Sequence, residues 1–93
     1  MEKRSWVFRR TVDVQNKLDL KSRERNYEGI LSLCTYATSS NPKFKVEGQS
    51  GMEWRDQCWA YCYQALYDFA NGLRNPPTIE ELILELPEMN WPE

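Results

Sequence analysis

The groups able to do chemistry in this chain are few, and their spacing argues for structure before reaction. The 93 residues contain no histidine. The commonest general base is therefore missing, and with it every Ser–His or Cys–His nucleophile pair. The cysteines are Cys34, Cys58 and Cys62. Cys58 and Cys62 stand four residues apart in a stretch of helical periodicity, a spacing that rarely meets disulfide geometry. Three thiols without histidine fall short of the four ligands of a structural zinc site. All three occupy apolar positions, where a thiol stays protonated and inert, so the pattern predicts buried free thiols in a reducing compartment. Carboxylates pair at Glu53/Asp56 and at Glu80/Glu81, each in the first turn of a predicted helix, where capping and the helix dipole account for them. No Gly-rich phosphate loop and no calcium-loop spacing occurs. The expectation is a protein without catalytic residues, metal or cofactor.

The element that must organise the rest is Met52 to Leu73. It holds neither proline nor a β-branched residue, and its glycine, Gly72, falls near the end. Trp54, Cys58, Tyr61, Cys62, Ala65, Leu66, Phe69 and Leu73 recur at steps of three and four and mark one helical face. Trp59, Tyr63, Tyr67 and Ala70 lie off that stripe and are mostly apolar too. A helix with so little polar perimeter is expected to be central, with Trp54, Cys58, Tyr61, Cys62, Leu66 and Phe69 as structural core. Ser50 with Glu53 reads as its capping box. Asn71-Gly72 reads as its end, with Leu73 folding back on Tyr67.

Two shorter amphipathic segments flank it. Ser22 is a plausible N-cap for a helix to about residue 38, with Tyr27, Ile30, Leu31, Cys34 and Ala37 on one face. Thr38 to Ser50 carries Asn41-Pro42 and Gly48 and reads as a loop whose Phe44 and Val46 tuck onto the core. After Arg74-Asn75-Pro76-Pro77, Thr78 and Glu81 form a second capping box, with Ile79, Leu82, Ile83 and Leu86 as the apolar face and Pro87 as the stop. The predicted fold is mainly α, a compact three-helix bundle (about 22–38, 50–71 and 78–86).

The first twenty residues read as a separate arm, with residues 21–93 as the helical domain. Trp6, Phe8, Val12 and Val14 alternate with Ser5, Arg9, Thr11 and Asp13, a strand signal. A lone strand needs a partner: Lys43 to Val46 in the same chain, or another chain. Alternatively, a helix begins near Val12 and absorbs part of the stretch. Residues 15–21 read as linker or as the foot of the next helix.

Net charge is −2, which offers no global field for nucleic acid. Residues 1–25 hold eight Lys or Arg against four Asp or Glu, and residues 76–93 hold five Glu and no base. Lys3, Arg4, Arg9 and Arg10 interleave with Trp6 and Phe8, as in single-strand binders. The run is short, however, and the pI of 5.2 is far from the value above 9 that marks nucleic-acid-binding domains. The same residues suit a protein-docking arm, since Trp and Arg are enriched in hot spots. Trp91 is either a plug in the core or an exposed anchor. The candidate protein-binding residues are thus Trp6, Phe8, Arg9, Arg10 and Trp91, and copies of the chain could also associate through the arm. No run of apolar residues reaches the length of a membrane span or a signal peptide, so a cytoplasmic protein is expected.

Several runs carry a resemblance. They are Ile30-Leu31-Ser32-Leu33, Tyr36-Ala37-Thr38-Ser39, Phe44, Glu47-Gly48, Glu53-Trp54-Arg55-Asp56-Gln57-Cys58-Trp59-Ala60, Gly72, Pro77-Thr78 with Glu80-Glu81-Leu82, Leu86-Pro87 and Trp91-Pro92. In this order they resemble a small module encoded by tailed bacteriophages and prophages. It occurs as short proteins and as C-terminal domains of longer ones, among tail and tail-fibre genes. The resemblance spans residues 23–92 and leaves 1–20 outside. It implies a non-catalytic tail accessory or tail-fibre assembly (chaperone-like) protein that binds a phage tail or fibre protein, in the host bacterial cytoplasm or incorporated in the virion. A small phage-encoded inhibitor of a host enzyme or defence complex is the alternative that size and charge suit as well.

Overall fold

The computed structural model describes the backbone over residues 3–92 and the side chains over residues 11–92. Its helices are α1 (Lys3–Arg23), α2 (Ile30–Cys34), α3 (Pro42–Ala70) and α4 (Ile79–Glu85), and a 3-10 turn, Thr35–Thr38, continues α2. No strand occurs among the described residues. The molecule measures 46 × 19 × 19 Å. Its long dimension is that of α3 itself, whose 29 residues rise about 44 Å at about 1.5 Å each. The fold is mainly helical, as expected, with four α-helices among the described residues where three were expected, and its dimensions are elongated.

The expected N-terminal strand is helix. Alternation across residues 5–14 competes with a second spacing, Val14, Leu18 and Ser22 at steps of four, and these three are fully buried. The helical register wins because it extends this buried stripe along the rest of the molecule. Residues 15–21 are accordingly neither linker nor the foot of a later helix, and position 20/21 falls inside α1. Ser22 does not cap a new helix. Its hydroxyl donates to the Leu18 carbonyl at 2.9 Å, within α1.

Just beyond Ser22 the predicted 22–38 helix is broken. Asn26 takes φ 71°, a left-handed conformation that asparagine tolerates. The Tyr27 N–H then donates to the Ser22 carbonyl, and that of Asn26 to Arg23. This is a Schellman closure, and it turns the chain back toward α1. There the Asp19 carboxylate accepts the Ile30 N–H at 2.9 Å, so α1 itself caps the start of α2.

The central helix begins eight residues before its predicted start, at Pro42 rather than 50. Asn41 accepts hydrogen bonds from the Lys43 and Phe44 amides. The Asn-Pro pair read as a loop signal is an N-cap followed by proline at the first helical position, where its fixed φ suits the helix. Ser50 lies inside the helix. Gly48 and Gly51, each costing about 1 kcal/mol in a helix interior, are explained by what touches them. A Cβ on Gly48 would lie 2.4 Å from the Ala37 amide nitrogen and 2.6 Å from the Tyr36 carbonyl carbon. One on Gly51 would lie 2.4 Å from a Leu33 methyl. The 3-10 turn rests backbone to backbone on α3.

The C-terminal half follows its expected caps. Gly72 has φ 73°, and the Leu73 N–H donates to Asp68 at 2.8 Å, a second Schellman closure. Leu73 is 70% exposed and does not fold back on Tyr67. The Thr78–Glu81 capping box is complete. Leu82 and Leu86 are buried, with Ile83 packed beside them, and α4 lies on α1. Trp54 ties this end to α3, its indole N–H donating to the Pro87 carbonyl at 2.7 Å. Trp54 and Cys58 are core, whereas Tyr61, Cys62, Leu66 and Phe69 pack against it half-buried. The three cysteines are free. Burial pushes the thiols of Cys58 and Cys62 up to about 11 and raises that of Cys34.

Gly48→Ala tests the close approach. An ordinary mid-helix Gly→Ala replacement raises stability by about 1 kcal/mol. Here overpacking is expected to lower the unfolding free energy in urea by about 1–3 kcal/mol. A gain would show that the 3-10 turn does not rest on α3.

Candidate functional site

Three local structures converge at the N-terminal end of α3. The turn after α1 brings Arg25, Asn26 and Tyr27. The 3-10 turn brings Tyr36. The first turns of α3 bring Lys43, Phe44 and Glu47. Together with Glu24 they line a cleft of about 430 Å³.

Glu47 is its anchor. It is 3% exposed, and a buried carboxylate is costly unless paired and hydrogen-bonded. Both of its oxygens are satisfied: Tyr27 donates its hydroxyl to one at 2.8 Å, and the Arg25 guanidinium donates to the other at 2.9 Å. Burial, and then the hydrogen bond to Glu47, push the Tyr27 phenol up to about 12.

A run of rings crosses the cleft. Tyr27 meets Tyr36 edge-on at 5.3 Å between centroids, and Tyr36 meets Phe44 edge-on at 5.7 Å. Such edge contacts are favourable aromatic geometry. On the other side Tyr27 stacks with Trp91 at 6.4 Å, and Arg25 lies over the Trp91 ring at 5.2 Å. The Trp91 indole N–H donates to Glu24 at 3.2 Å. That bond, more than the neighbouring Lys21, holds the Glu24 carboxyl below its usual range. Trp91 is half-buried and braces the back of the cleft. Tyr36 and Phe44 are 38% and 40% exposed and form its accessible wall.

Of the residues expected to bind a partner, Trp91 comes to this place. Trp6, Phe8, Arg9 and Arg10 lie on α1 outside the described side chains. The helical rise puts residue 10 about 20 Å along the axis from residue 23. Arg25, Tyr27, Tyr36, Phe44 and Glu47 are not legible as a site in the sequence, because Tyr27 falls on the core face of a predicted helix, Tyr36 off that face, and Phe44 in a predicted loop. An available signal was a glutamate beside a glycine among aromatics, an acid with no capping task.

A second groove, about 470 Å³, runs between α1 and α4 over Trp54, past Leu20, Ile79 and Ile83. Its cations are already engaged. The Lys17 ammonium donates to the Ile83 carbonyl at 3.0 Å and pairs with Glu88, and Lys21 pairs with Glu24. Among the described residues, no cluster of three or more Cys, Asp or Glu is placed to hold a metal ion, and no helix is long and apolar enough to cross a membrane.

No protein-family model, curated protein or solved structure matches the chain.

Tyr27→Phe checks the clasp. At neutral pH it leaves Glu47 short of a donor and is expected to cost about 1–3 kcal/mol. The native phenol keeps its proton up to about 12, against an ordinary value of 10.0. The folded state therefore holds more protons between those values, and stability falls as pH rises through that window. Denaturation from pH 9 to 12 should show a shallower fall in Tyr27→Phe than in the parent. Equal slopes would place Tyr27 outside the clasp.

Proposed function

We propose that this chain is a non-catalytic protein-binding module, and more specifically a tail accessory or tail-fibre assembly protein of a tailed bacteriophage or prophage. The observation that carries the binding role is the cleft: two half-exposed aromatic rings beside Arg25 and Lys43, held on a clasp whose own carboxylate is satisfied. Aromatic residues and arginine on a pre-organised surface are what partner recognition uses. The solvent face of α3 adds Tyr63 and Tyr67, 69% and 60% exposed. The chemistry available supports binding over catalysis. The chain has no histidine, and its thiols titrate well above neutral pH. The phage assignment rests on the resemblance across residues 23–92. In that setting the module acts in the bacterial host, on a tail or fibre protein, with incorporation in the virion as one fate.

Affinity capture of the tagged chain from phage-infected cells, read by mass spectrometry, tests the role. Tail-fibre or baseplate chains are expected, with recovery reduced by Phe44→Ala. A host nuclease or polymerase in their place would replace the assembly role with inhibition. Recovery of no specific protein would contradict the binding role.

A further inference from the structure

The polar capacity of the aromatic cleft is lopsided. Its buried acid is fully engaged, both oxygens of Glu47 accepting from Tyr27 and Arg25, and the exposed Glu24 at the rim is turned through one oxygen to Trp91 and Lys21. Its basic members keep donors. Arg25 spends one N–H on Glu47 of the five that a guanidinium carries, and its side chain is 34% exposed. Lys43 forms no ion pair among the described residues. It stands in the first turn of α3, beside the Asn41 cap, where the helix dipole adds to the positive potential. Between these cations the wall is Tyr36 and Phe44. The volume, about 430 Å³, lies toward the small end of ligand sites, which span about 300–1,000 Å³, and suits a few side chains of a segment.

We propose that the cleft binds an acidic peptide segment of a partner protein, in which a carboxylate lies next to an aromatic or aliphatic side chain. This rests on the protein-binding reading above and names the chemistry of the partner. The carboxylate meets Lys43 and the free edge of Arg25, and the neighbouring side chain packs on Tyr36 and Phe44. Charge complementarity chooses the occupant: a basic segment would face Arg25 and Lys43, with the Glu47 carboxylate between the elements already spent and Glu24 drawn to Lys21 and Trp91. Part of the affinity comes from exposed charges, so it weakens with added salt.

Amide NMR titration of the ¹⁵N-labelled full chain tests this. The probes are three short synthetic peptides alike except that the acidic positions carry Glu, Gln or Lys, each flanked by Phe. The Glu peptide is expected to move the amides of residues 25–27, 36 and 43–47 and to bind most tightly. Lys43→Glu should weaken it by about 5-fold or more. That variant keeps the fold, because Lys43 is exposed and a carboxylate suits the first turn of a helix. Phe44→Ala should weaken all binding at these amides. Equal or tighter binding of the Gln or Lys peptide at the same amides overturns the acidic preference while leaving the protein-binding reading intact. If none of the three peptides moves these amides, the cleft assignment falls. The fate of the broader reading is then decided by the capture from infected cells, which does not depend on these peptides.

Discussion

The close contact between the 3-10 turn and α3 at Gly48 sets the geometry of this molecule. With no Cβ at that position, Ala37 and Tyr36 lie directly on the helix backbone. Gly51 gives the same room to Leu33 one turn later. This approach brings Tyr36 beside Phe44 and Tyr27 within reach of Glu47. It explains why two glycines sit inside a long helix, where each weakens it intrinsically. Packing restores what propensity loses.

Around that contact the molecule uses side chains where a larger protein would use more core. The clasp of Arg25, Tyr27 and Glu47 fastens the turn after α1 to α3. Trp54 fastens the segment after α4 to the middle of α3 through the Pro87 carbonyl. Arg74 grips Glu85 with both terminal nitrogens, at 2.9 and 3.1 Å, a fork geometry stronger than a single hydrogen bond. A buried polar group such as Glu47 is costly when half-satisfied and rigid when complete. Here the buried carboxylate is complete, which leaves Arg25 and Lys43 with donors to spare in the cleft.

What the sequence made legible follows from how local each signal is. The Thr78–Glu81 box and the Gly72 terminus depend on residues a few positions apart, and both stand as read. So do the buried Trp54 and Cys58, whose three- and four-residue spacing is a property of one helix. The strand reading of residues 5–14 failed because a short alternating run competes with a longer helical stripe that only tertiary burial of Val14 and Leu18 reveals. The late start assigned to α3 failed because Asn-Pro signals both a turn and a helix N-terminus. What separates them is the partner that fills the notch over Gly48, and that partner lies in another element. The cleft was the least visible part, being built from three segments none of which carries a motif of its own.

The α3 helix already runs from Pro42, packed beneath the 3-10 turn, and so makes one wall of the cleft. Native-state amide hydrogen exchange across residues 46–51 is the deciding measurement. These amides, Gly48 and Gly51 included, are expected to be protected, with opening free energies close to that of global unfolding. Exchange at the rate of an open loop, with protection beginning only beyond residue 51, would contradict a helix that starts at Pro42.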